Sequence, residues 1–126
     1  MRDTIKSHKD FHVEITDPSA SSVFFVVRAK AARFPGNPRI GLMVTKRTFK
    51  FAVHRNRAKR LLRDWARFCD DLMAPEYDYI FFARARILTA NRDEGRAAMT
   101  KALRHILKKH APKTPKNLLK IIKNAA

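Results

Sequence analysis

The sequence predicts an α+β fold: a single-domain α/β sandwich in the order α-β-β-α-β-α, with a small sheet packed by helices. Three observations carry that expectation. The chain has 126 residues, about one domain's worth. Its hydrophobic fraction of 45% is enough for one core. The apolar pattern also changes from short β-branched and aromatic runs to long 3.6-residue periods and back.

The elements follow in order. Ser7 and Asp10 form a capping-box pattern ahead of Phe11 and Ile15, one turn apart, so a short helix is expected over about 8–15 before Pro18. Val23 to Ala29 and Arg39 to Thr45 read as strands joined by the Phe34-to-Pro38 turn cluster, hence as a hairpin with a longish loop. From Asn56, residues Ala58, Leu61, Leu62, Trp65, Phe68, Cys69 and Leu72 share one helical face, and Pro75 closes that helix. Tyr77 to Ala83 is short, apolar and aromatic, which suits a strand buried on both sides. Asn91 with Glu94 starts a second long helix to about His110, with Met99, Ala102, Leu103, Ile106 and Leu107 as its apolar stripe. Beyond Pro112, Leu118, Leu119, Ile121 and Ile122 alternate with lysines in a tail expected to order on binding.

Charge narrows the function. Twenty-eight Lys and Arg against eleven Asp and Glu leave +17, a self-repulsion that calls for a polyanionic partner, nucleic acid first. Lys46, Arg47, Lys50, Arg55, Arg57, Lys59, Arg60 and Arg63 include no acid among them, and Arg67 continues the series. On the helical wheel Asn56, Lys59, Arg60, Arg63 and Arg67 lie opposite the apolar stripe. Arg55, Asn56 and Arg57 are expected in the first turn, where unpaired backbone N–H groups would help seat a phosphate. Cations at a helix N-terminus and like charges four apart are both unfavourable, so a ligand explains them better than solvent does.

Other chemistries find less support. No apolar run approaches the roughly 20 residues of a membrane helix, and Met1 to Asp10 has no signal-peptide core, so a cytoplasmic protein is expected. Cys69 is the single cysteine and reads as a buried thiol. His8 and His12 have helical metal-ligand spacing but no evident third ligand, and His54, His105 and His110 stand beside basic residues. Asp70, Asp71, Glu76 and Asp78 bunch near Pro75, where pairing with surplus Arg or Lys is the ordinary role, so no catalytic residue is assigned to this chain. Of Phe11, Phe24 and Phe25, which could form a stacking surface, at least one of the strand pair belongs to the core.

With the Arg55-Asn56-Arg57 helix in view, the sequence resembles the protein subunit of bacterial ribonuclease P. The resemblance also runs through Lys6-Ser7-His8-Lys9-Asp10-Phe11, Pro38-Arg39-Ile40-Gly41-Leu42, Val44-Thr45-Lys46-Arg47, Tyr77-Asp78-Tyr79 and Ala83-Arg84, in family order over most of residues 6–110. It implies a ribonuclease P domain over 1–111 and a left-handed βαβ crossover against the usual handedness, and it leaves the basic tail over 112–126 outside what it explains. It implies partnership with a catalytic RNA, as a monomer within the holoenzyme, and removal of the 5′ leader from precursor tRNA. The protein alone would hold no cofactor, and Mg2+ would come through the RNA. The Arg-Asn-Arg helix would meet the RNA, and a cleft between the first helix and the sheet, marked by Phe11 and Ile15, would take the leader. Ile15 stands where many members have a second aromatic, and no glycine interrupts residues 48–54 ahead of the basic helix. The other class weighed is a non-catalytic structural or ribosome-associated RNA-binding protein.

Overall fold

The computed structural model describes residues 3–5, 17–34 and 38–110. The expected first helix, with Phe11, Ile15, His8 and His12, and the tail from residue 112 lie outside them. The elements are β1 (Asp3–Thr4), β2 (Ser19–Ser21), β3 (Phe25–Ala31), β4 (Arg39–Met43), α1 (Ala52–Phe68), β5 (Tyr77–Ala83) and α2 (Arg92–His110). Short 3-10 turns at Asp70–Leu72 and Ala85–Thr89 flank β5.

One sheet runs β1-β4-β5-β3-β2. β5 pairs in parallel with β4, with Gly41 opposite Ile80, and antiparallel with β3, with Val27 opposite Phe81. This corrects the expected hairpin: β3 and β4 are not neighbours, because β5 lies between them. The reason is burial. Asp78 to Phe81 are all buried, and a strand apolar on both faces belongs in the middle of a sheet. The β4-α1-β5 segment is the parallel crossover unit, with α1 carrying the chain back.

Asp78 locks the two strand starts together. Its carboxylate is fully buried and accepts the Arg39 backbone N–H at 2.7 Å, the Arg33 N–H at 3.4 Å and the Arg39 guanidinium at 3.4 Å. The expected pairing of this acid with a surplus arginine is what the structure shows.

On one face of the sheet Phe25, Val27 and Ala29 alternate with half-buried Val26 and Arg28, and the same buried cluster takes in Tyr79, Phe81 and Ile40. Ala58, Leu62 and Trp65 of α1 and Met99, Leu103 and Ile106 of α2 join it. Both Phe24 and Phe25 pack on Trp65, at ring separations of 5.9 and 6.2 Å, so neither belongs to a stacking surface. α2 opens with the expected reciprocal cap: the Glu94 N–H donates to Asn91 Oδ1 at 2.8 Å, and the Asn91 N–H to Glu94 Oε1 at 3.4 Å.

Candidate nucleic-acid interface

The basic segment is built on a loop pinned at one residue. Phe49 is buried, its N–H donates to the Thr45 carbonyl at 2.9 Å, and Thr48 N–H donates to Thr45 Oγ1 at 3.3 Å. Lys46 and Arg47 are left at the tip of this turn, both exposed. A buried aromatic anchor thus shapes a loop that has no glycine.

α1 begins at Ala52, one turn earlier than the expected Asn56, and this relocates the first-turn N–H groups. His54 and Arg55 N–H already donate to the Phe51 carbonyl, at 3.1 and 3.2 Å. The phosphate seat expected at the backbone of Arg55 to Arg57 is therefore inside the helix. Arg55 itself is half-buried, and its guanidinium donates to the carbonyls of Phe49 at 2.9 Å and Lys50 at 3.1 Å. It clamps the loop to the helix rather than standing open to a ligand.

The other basic residues are displayed as the wheel predicts. Asn56, Arg57, Arg60, Arg63 and Arg67 are exposed, and Lys59 is half-buried beside them. Asn56, Arg60, Arg63 and Arg67 form a row about 16 Å long at the helical rise of 1.5 Å. The single acid of α1, Asp64, faces α2 and meets Arg96 at 3.3 Å, so it does not neutralise this row. Among the described residues no ion pair holds Arg57, Arg60, Arg63 or Arg67. The helix start also exposes Phe51 and Val53, two apolar residues that charge and periodicity gave no reason to single out.

Phe68, expected on the apolar face, is 57% exposed. The buried arc of α1 is centred on Ala58, Leu62 and Cys69 and reaches Ala66, which places Phe68 at its far edge. Cys69 is buried as expected; burial pushes its thiol above the ordinary value of 9.0, against a hydrogen bond to Thr100 at 3.3 Å that lowers it. Among the described residues no three His, Cys, Asp or Glu side chains come together as a metal site. No described helix is long and apolar enough to cross a membrane.

The sequence model of the Ribonuclease P family matches residues 2–108. The ribonuclease P protein component of Exiguobacterium sibiricum is 31% identical over 106 residues, 83% of this chain and 87% of that protein. The component of Marinobacter nauticus is 32% identical over 91 residues, covering 72% of this chain and 67% of its own length. Among solved structures, the RNase P protein of Staphylococcus aureus superposes with a TM-score of 0.61 at 25% identity, over 85% of this chain and 94% of that one. That of Thermotoga maritima, at 19% identity, has the same fold with a TM-score of 0.57 over 68% and 80% of the two chains. A family match across nearly all the described residues, on a fold shared with those structures, shows that this chain belongs to the ribonuclease P protein family.

Proposed function

We propose that the outward row of α1 is the surface by which this chain, as the protein subunit of ribonuclease P, grips the catalytic RNA that cuts the 5′ leader from precursor tRNA. The observation that carries it is the unneutralised series Arg57, Arg60, Arg63 and Arg67, exposed along one helix whose opposite side is fixed in the core. Arginine forks suit bidentate phosphate contacts, and a row of them on a rigid helix loses little entropy on meeting a folded RNA. Lys46 and Arg47, at the tip of the pinned turn, extend the same charge past the helix start. The protein's contribution is binding and charge neutralisation; Mg2+ belongs with the RNA subunit, and the holoenzyme holds one copy of this chain in the cytoplasm.

A non-catalytic ribosome-associated protein could use a similar basic helix, but it would not share the family match. Reconstitution tests the reading. Protein rigorously freed of RNA should leave precursor tRNA intact, and cleavage should appear at physiological salt when the catalytic RNA is added. Cleavage by the RNA-free protein, or a holoenzyme indifferent to the removal of the Arg60 and Arg63 side chains, would overturn it.

A further inference from the structure

A second basic surface lies away from α1's outward row. α2 and the edge strand β2 enclose an open groove of about 1500 Å³, with Ser19 to Ser22 on one wall and α2 on the other. Within it Lys101, Arg104, His105 and Lys108 follow the i, i+3, i+4, i+7 spacing of one helix face, and among the described residues Asp93 is the only acid in the lining. Among the described residues no ion pair neutralises Lys101, Arg104 or Lys108. Cations in the last turn of a helix are favoured by its dipole, which accounts for Lys108; Lys101 and Arg104 lie in the helix interior, beyond that effect.

Phe68 lines the same groove. It is 57% exposed, and the Arg96 guanidinium lies 4.4 Å from its ring centroid. Arg96 is held in turn by Asp64 at 3.3 Å, so the ring and its cation form a fixed platform. An exposed aromatic beside a line of unpaired cations is the pairing that single-stranded nucleic acid uses: a base stacks on the ring while phosphates follow the charges.

We infer that the α2–β2 groove is a second RNA-binding surface, which takes an unpaired strand with one base on Phe68 and its phosphates along Lys101, Arg104 and Lys108. A duplex fits less well, since its bases are stacked inside and cannot reach the ring. The chain's own last residues, 111–126, carry four lysines and no acid, so the groove's charge repels them. The inference does not rest on the reading of α1's outward row.

The test uses the full chain and a labelled 12-nucleotide oligouridylate carrying 4-thiouridine, with an RNA duplex of equal length as control. Photocrosslinks to the unsubstituted protein should map to Phe68 and to residues 96–109. Phe68→Leu should weaken strand binding by roughly 5- to 150-fold, as expected when one base loses its stacking ring, and leave duplex binding unchanged. Lys101→Ala/Arg104→Ala/Lys108→Ala should lower the slope of log K against log salt by about 2. Both variants alter exposed side chains and should melt as the parent does. Arg60→Ala/Arg63→Ala should keep the crosslink map, which separates this surface from that on α1. Crosslinks confined to residues 46–67, an unchanged affinity in Phe68→Leu, or equal weakening of strand and polyglutamate binding in both groove variants would overturn the inference, the last by assigning the groove to an acidic protein.

Discussion

Gly95 of α2 lies so close to the Trp65 indole of α1 that a Cβ at position 95 would overlap the ring. The absent side chain is what lets the two helices approach, and Trp65 is fully buried where they meet. Alanine favours a helix over glycine by about 1 kcal/mol, but overpacking a core costs about 1–3 kcal/mol or more. Gly95→Ala should therefore lower the urea midpoint despite its better propensity. Trp65→Phe in the same background should recover part of the stability, and a double-mutant cycle in urea measures that coupling.

Asp78 and Arg39 make a second test of packing. The Asp78 carboxylate accepts two backbone N–H groups as well as the Arg39 guanidinium, and breaking a buried pair of this kind costs about 3–5 kcal/mol. Asp78→Ala should fall in that range. Asp78→Asn should cost less, since an amide oxygen can still accept the Arg39 N–H now bonded at 2.7 Å. Equilibrium unfolding of the two variants checks the order.

On α1, Arg60→Ala and Arg63→Ala should each flatten the salt dependence of binding to the catalytic RNA. Taking away one neutralised phosphate reduces the slope of log K against log salt by roughly 0.7–0.9. Arg55→Ala should differ in kind, because that side chain bonds the Phe49 and Lys50 carbonyls. That substitution should lower the melting temperature as well as the affinity, whereas the exposed pair should change affinity alone. Thermal melts run beside filter binding separate the two.

Cys69 predicts an alkaline weakness. Burial raises its pKa in the folded protein above the ordinary 9.0, so the folded state retains a proton that the unfolded state releases. Stability should hold below pH 9 and fall as pH rises above it. Tyr77, raised by burial and by Glu76 and Asp17, adds a decline in the same direction above pH 10. Cys69→Ala should flatten the first part of this decline. The native thiol should also resist iodoacetamide at neutral pH and react once unfolded.

What the sequence made legible was the content of each long element and the charge it carries. β5 spans Tyr77–Ala83 as expected, since an apolar aromatic run before Arg84 has few alternatives. α2 is readable from its cap and stripe. Pairing is not: β3 and β4 each satisfy strand chemistry locally, and only the presence of β5 decides that they bond to it and not to each other. β1 and β2, two and three residues long, carry no period to detect. The start of α1 leaves no signal because Phe51 is an N-cap without a capping side chain. The exposed row on α1 followed directly from periodicity, whereas Arg55's bonds to the loop depend on where the chain folds back. Phe68 shows the limit of wheel arithmetic, which gives a face but not how much of it a neighbour covers.

The central position of β5 also sets a timetable for the nascent chain. β3 and β4 are complete once Met43 has been made, yet the strand that joins them ends at Ala83, about 40 residues later. At synthesis rates of roughly 5–20 residues per second, Phe25, Val27 and Ile40 wait about 2–8 s without the partner that covers them. The β2–β3 and β1–β4 pairs are both available before β5, but the two halves of the sheet cannot be united until it arrives. The join closes around β5 in one late step, and during that interval an incomplete sheet is open to whatever RNA or chaperone is nearest.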